Sequence, residues 1–272
     1  MTRFIPIILF CLASGAVQAA PLPSCLPPVE VKQAQVTRVE QNGVLVLTDG
    51  RAVKLEGLLL PGGKADNAPD TFRTQALDEL GDRATRRHVQ LRAQDQKEDR
   101  YGRLRAQVIF PLSDDEPWLQ AAMLRRGLAR VSIAPDRREC ASALYAAEAE
   151  ARDANRGLWA SPAYAIRSPT SLHNADLGTF QIVEGQVVSA AVRGSRGYLN
   201  FGRDWRTDFT AMIAPDDMKA FRADGIDPES YAGKWVRVRG YIDRMNGYEI
   251  EIAAPEAIEI IKSASQFHSS AE

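Results

Sequence analysis

The stretch Val44-Leu45-Val46-Leu47-Thr48-Asp49-Gly50-Arg51-Ala52-Val53-Lys54-Leu55 holds two short β-prone runs joined by Asp-Gly. Asp-Gly between apolar runs is a strong hairpin signal, because the turn needs positive φ, which Gly adopts freely and Asp tolerates. Downstream, residues 69–84 place Phe72, Ala76, Leu77 and Leu80 on one helical face. Strands are expected over 88–93 and 104–110, on either side of a charged loop at 95–103. A second helix is expected over 116–126, turning Trp118, Leu119, Ala122 and Met123 inward. A third begins near Cys140, carries Leu144, Ala147 and Ala151, and stops before Gly157, placed as its C′ glycine. Strands, a helix, strands and two helices predict a mainly β fold with α: an OB-fold-type five-stranded barrel with packed helices.

The chemistry of the chain changes at 160–174, where prolines and serines interrupt any sustained period. Residues 165–177 are expected to be a linker, and 263–272 a disordered tail. Between them, 178–262 is expected to form a second unit with strands over 179–190, 198–201, 209–213, 235–242 and 248–252. A short helix at 216–223 opens with Asp216 and Asp217, which suit the positive end of its dipole. Asn246-Gly247 is again a hairpin turn. Five strands with one helix after the third give the order of a second OB-like β-barrel.

Residues 1–19 look like an export signal: Arg3, an apolar run over 4–12 too short to span a bilayer, and Val17-Gln18-Ala19 before the cut. The expected location is therefore outside the cytoplasm, in the periplasm or secreted, with no transmembrane segment in the mature chain. Loss of that leader takes Cys11 away and leaves Cys25 and Cys140, an even count that suits a disulfide, with two buried thiols as the other reading. It also takes the formal net charge from −1 to −2 by removing Arg3. Duplex binders are usually strongly basic, so that balance argues against bulk nucleic-acid binding while leaving room for a local patch. His88, His173 and His268 show no metal-ligand spacing, and no nucleophile elbow, Walker loop or dinucleotide glycine pattern occurs.

Four segments carry a resemblance to a known family: Asp49-Gly50-Arg51-Ala52-Val53-Lys54-Leu55-Glu56-Gly57, Asp99-Arg100-Tyr101-Gly102-Arg103-Leu104, Arg125-Arg126-Gly127-Leu128-Ala129-Arg130-Val131, and Gly157-Leu158-Trp159. In this order they resemble the thermonuclease (staphylococcal-nuclease-like) family over 36–164. The resemblance implies a nuclease in which calcium and two arginines surround the scissile phosphate while a glutamate activates water. A hard cation needs carboxylate oxygens, the developing charge needs guanidinium donors, and water needs a base within reach. Laid onto this chain, the family's Asp-Gly-Asp turn becomes Gln41-Asn42-Gly43, and its Asp-x-Pro-Glu stretch becomes Leu59-Leu60-Pro61-Gly62. The first arginine becomes Lys54, and only Arg103 matches fully.

The expectation is therefore a degenerate site with a binding or scaffold role, in which Arg103 and Lys54 contact an anionic ligand: nucleic acid, or alternatively a peptide or glycan. The alternative is an active phosphodiesterase or nuclease with rearranged residues, for which calcium would be the cofactor; otherwise no cofactor is expected. Glu56 shares a strand face with Lys54, so it either pairs with that lysine or joins the site. Asp66 and Asp70 follow Pro61 and could approach the same mouth. In the second unit, Tyr198, Phe201, Trp205 and Phe209 alternate with Arg196, Arg203 and Arg206, as in barrels that stack single strands, or as in a core with solvated arginines. The oligomeric state is open.

Overall fold

The computed structural model describes residues 22–63, 66–94, 98–112 and 116–262, so the leader at 1–19 and the tail at 263–272 lie outside the described residues. In chain order the first unit contains β1 (Val29–Val39), β2 (Leu45–Leu47), β3 (Ala52–Leu55), β4 (Leu58–Leu59), α1 (Asp70–Ala84), β5 (His88–Arg92), β6 (Arg103–Ile109), α2 (Leu119–Arg125), β7 (Arg130–Val131) and α3 (Ala141–Asp153). The strands close a barrel in the order β1-β2-β3-β6-β5, with β4 and β7 as a separate small ladder. β1, for which no strand was expected, serves both edges: its first half pairs β5 and its second half pairs β2, with register shifts where it bends. Its interior-facing Val36 is fully buried beside Leu45, Val53, Val89 and Val108. β3 and β6 are parallel, and the crossover between them carries α1, which lays Ala76, Leu80 and Ala84 against the barrel.

Two details of the helices differ from the sequence expectation. α2 starts only at Leu119, because Trp118 is held extended by a bridge to Ile109 and its indole N–H donates to Gln107 at 2.9 Å. α3 stops before Gly157, at Asp153, but the residue that reverses the chain is Asn155, whose φ of 50° lets the Arg156 N–H reach the Ala151 carbonyl at 2.9 Å. Gly157 has another task. A Cβ there would lie 2.3 Å from the Gly127 carbonyl oxygen, and one on Gly127 would lie 2.1 Å from that of Arg156. These motif glycines let two backbones touch, and the Leu158 N–H donates to Gly127 at 2.8 Å. A disulfide joins Cys25 to Cys140, 5.2 Å apart at Cα, and ties the segment before β1 to the start of α3.

The second unit contains β8 (Phe180–Gln186), β9 (Ser189–Arg193), β10 (Arg196–Asn200), β11 (Thr210–Ile213), α4 (Met218–Ala223), β12 (Trp235–Arg244), β13 (Tyr248–Glu251) and β14 (Ile258–Ile261). The strand expected over 179–190 is two, bent at Val187-Val188. Pairing runs β9-β10-β11-β13-β12-β8, and since only those two valines separate β8 from β9, the ladder returns to where it began. β11 and β13 are parallel, as β3 and β6 are in the first barrel, so both units share one strand order. β14, not expected, lies along β12 over Trp235 to Val238. The segment at 165–177 is packed rather than loose: Leu172 is buried, Arg167 bridges to Val183, and Asp176 is buried beside Arg167.

Candidate functional site

In the first barrel, the register Ala52↔Arg103 and Lys54↔Arg105 sets Lys54, Glu56, Arg103 and Arg105 on the outer face of the parallel pair. Arg103 does not project freely. Its Nε donates to Asp99 at 2.7 Å, the two form an ion pair, and the guanidinium lies 4.8 Å from the Tyr101 ring centre. Burial works against the Asp99 charge. The Arg103 side chain and the N–H groups of Tyr101 and Arg103 outweigh it and hold the carboxyl at about 2. Glu56 pairs with Arg105 at 2.7 Å, which corrects its expected pairing with Lys54. The Arg105 fork bridges two carboxylates, Glu56 and Asp136, a geometry that an ammonium could not match. Among the described residues Lys54 forms no ion pair.

The loop after β4 is held by apolar contacts. Leu60 packs on Gly43, so closely that a Cβ there would lie 2.2 Å from the leucine Cδ1. Leu59, where the resemblance puts a metal-binding aspartate, packs against Ala151, Trp159, Phe180 and Ile182, an apolar cluster spanning both units. Gly62, in the place of the glutamate, has φ of +86°, and its N–H donates to the Asp66 carboxylate at 3.0 Å. Asp66 does not reach the mouth. It is buried, and it also accepts from Arg130 at 3.1 Å and from the Tyr164 hydroxyl at 2.9 Å. Burial and that carboxylate push the Tyr164 hydroxyl pKa upward. Asp70 is the exposed first residue of α1. At the positions where the resemblance puts a metal-binding aspartate and a glutamate, this chain has Leu59 and Gly62, neither of which carries a carboxylate. Among the described residues no group of three or more His, Cys, Asp or Glu is placed to hold a metal ion.

The second barrel carries a cleft of about 830 Å³ across β9, β10 and β11 and the turn between β12 and β13. Tyr198 and Trp205 line it, with Arg193, Arg196, Met245 and Tyr248. Trp205 is 54% exposed, and the Arg206 guanidinium lies 4.9 Å from its ring; Arg244 lies 4.8 Å from the Tyr248 ring. Two expected members are elsewhere. Phe201 is a core residue, its ring 5.0 Å from Phe209, because strand alternation turns it inward. Arg203 is exposed on the loop outside the cleft lining. Met245 and Tyr248 escaped sequence reading, since only the β12-β13 pairing brings that turn beside β10; the signal available was Asn246-Gly247 flanked by an aromatic residue.

No helix among the described residues is long and apolar enough to cross a membrane. Comparison with curated proteins finds no match. The family comparison is positive, and it runs from β3 through the helices of the first unit, leaving β1 and β2 outside it. Residues 53–161 match the model described as Staphylococcal nuclease homologue, and the chain carries a domain of that family.

Proposed function

We propose that this chain is an exported binding or scaffold protein built on a nuclease-type barrel, and that it does not cut nucleic acid by the calcium-dependent route. The observation that carries this is the position of Leu59: the residue standing for a metal ligand packs into the apolar cluster between the two units. Gly62 supplies no base, and general-base assistance alone is worth roughly 10²–10⁴-fold. A catalytic metal supplies several kcal/mol more, with about 1.4 kcal/mol per factor of ten. Arg103, held by Asp99, cannot offset that. A rearranged nuclease using Glu56 would first have to release it from Arg105, where it is buried. Support for export comes from the Cys25–Cys140 disulfide, which persists in oxidising compartments.

The test is a cleavage assay on the purified chain with single- and double-stranded DNA and RNA, in calcium and then in chelator. The expected result is no turnover at high protein concentration. Calcium-dependent cleavage abolished by Arg103→Ala overturns the proposal. Cell fractionation checks export, and recovery in the cytoplasm with reduced cysteines contradicts it.

A further inference from the structure

We infer that the cleft of the second barrel binds single-stranded nucleic acid, stacking bases on Trp205 and Tyr248 while the arginines around it hold phosphates. The inference rests on the reading of the chain as a binder and gives that binder its ligand class.

The first support is a contrast in how arginines are used. In the first barrel Arg103 is neutralised by Asp99, and Arg105 by Glu56 and Asp136. Around the second cleft, Arg193, Arg196, Arg206 and Arg244 form no ion pair among the described residues. Acids are near, but they serve the backbone. Asp204 accepts the Arg206 N–H, Asp208 accepts the Asp204 N–H at 2.7 Å, and Asp243 accepts the Arg244 N–H at 2.7 Å. Glu249 is the one carboxylate in the lining; burial, then the charges of Asp243 and Glu251, raise its pKa, while Arg196 acts to lower it. Four guanidiniums without carboxylate partners, on a chain of net charge −1, are a local polyanion site.

The second support is the aromatic surface. Trp205 is 54% exposed and shares the cleft lining with Met245, 74% exposed, so apolar surface is grouped there rather than scattered singly. A guanidinium lies over each of Trp205 and Tyr248. The Arg244 Nη2 and the Tyr248 hydroxyl both donate to the Asn174 Oδ1, at 2.8 and 3.0 Å, which fixes that ring and leaves the other N–H groups of the guanidinium for a phosphate. The third support is placement. In barrels of this strand order, oligonucleotides lie on the second and third strands between the first–second and fourth–fifth connections. Here those are β10 and β11, the turn at 194–195, and the turn at 245–247 that closes the cleft. A neutral glycan would use the rings but not the four guanidiniums.

The experiment is fluorescence anisotropy of the full chain with a labelled oligothymidylate of about 12 nucleotides, within the length one such barrel covers. It is run in chelator, with probe length checked on a gel, so that cleavage and binding are scored separately. Binding is expected, with Trp205→Ala weaker by roughly 10- to 100-fold and Trp205→Phe retaining most of the affinity. Arg196→Ala is expected to lower the salt slope of log affinity by about one. Melting curves confirm that each variant folds. Unchanged affinity in Trp205→Ala overturns the inference, as does loss in Arg103→Ala instead, which assigns binding to the first barrel. Absence of binding at low salt, with a neutral oligosaccharide quenching Trp205 fluorescence, overturns it in favour of a glycan. Cleavage of the probe when calcium replaces the chelator, with the Trp205 effect intact in chelator, overturns only the non-nuclease reading.

Discussion

Arg239 on β12 donates from Nη1 to both carboxylate oxygens of Glu148 on α3, at 3.2 and 3.0 Å, across the seam between the two barrels. Neither side chain sees solvent to any extent, at 2% and 0% exposure. Glu148 also accepts the Val131 N–H at 2.7 Å, and Arg239 pairs with Glu259 and lies 4.2 Å from the Tyr145 ring. Burial opposes the guanidinium charge, but Glu148 and Glu259 outweigh it and hold the pKa up. Nearby, the Tyr145 hydroxyl donates to the Glu256 carbonyl at 2.7 Å and Arg138 pairs with Glu256 at 2.9 Å. The two barrels are therefore joined by buried polar contacts as well as by the Leu59 cluster.

Removing Glu148 leaves the buried Arg239 with Glu259 alone and takes the acceptor from the Val131 N–H. Glu148→Ala is expected to destabilise the chain by about 3–5 kcal/mol. Urea unfolding followed by circular dichroism should show the wild type unfolding in one transition and the variant with a lower midpoint. A wild type that unfolds in two separate transitions would show that the seam does not couple the units.

The Cys25–Cys140 bond closes a loop with a sequence separation of 115. A loop of that size constrains the unfolded chain by about 4–5 kcal/mol. Cys140→Ser, or reduction of the wild type, should lower stability by that order. A reduced protein as stable as the oxidised one would contradict the account.

Asp99 has a folded pKa of about 2, below the unfolded value of about 4. The sign follows directly: its stabilisation is fully present above pH 4 and is lost as the pH falls towards 2. Arg103→Ala should return the Asp99 titration towards the ordinary range, as read by NMR. A titration unmoved by that substitution would mean that the two backbone N–H groups alone hold the carboxylate.

Reinstating the family's residues should not reinstate its chemistry. Gly62→Glu places a side chain at φ of +86°, with a Cβ 3.1 Å from that of Arg73. A left-handed backbone at a residue with a side chain costs about 1–2 kcal/mol, so this substitution should destabilise by that order. The triple variant Leu59→Asp, Gly62→Glu, Lys54→Arg should still lack calcium-dependent cleavage, because Gln41-Asn42-Gly43 still offers no carboxylate where the resemblance puts the Asp-Gly-Asp turn. Cleavage recovered by those three changes alone would show that only ligand identity had been lost.

Much of the architecture was legible because its signals are local. Asp49-Gly50 and Asn246-Gly247 mark their hairpins, and Leu144, Ala147 and Ala151 mark the buried face of α3. β1 was missed since its burial alternates only weakly, most of its residues being half-buried or exposed. The strand over 179–190 was read as continuous because a bend between two valines leaves no compositional mark. At the site, Trp205 and Tyr198 were legible as aromatics among arginines. For Phe201 the structure decides for the core, the alternative that composition leaves open because it cannot tell which face of a strand points inward.

By itself, the sequence determined the two hairpins, the helices and the segments of the family resemblance, since each depends on residue type and spacing along the chain. Only the tertiary structure decided which charges meet. Glu56 lies two residues from Lys54 yet pairs with Arg105, 49 positions away, and Asp66 turns from the mouth to Arg130 and Tyr164. An arginine bound by a carboxylate and one left open to a ligand are identical in sequence. Their difference is a distance of a few ångströms, and in a partly buried setting that distance sets whether the charge is spent within the protein or offered outside it.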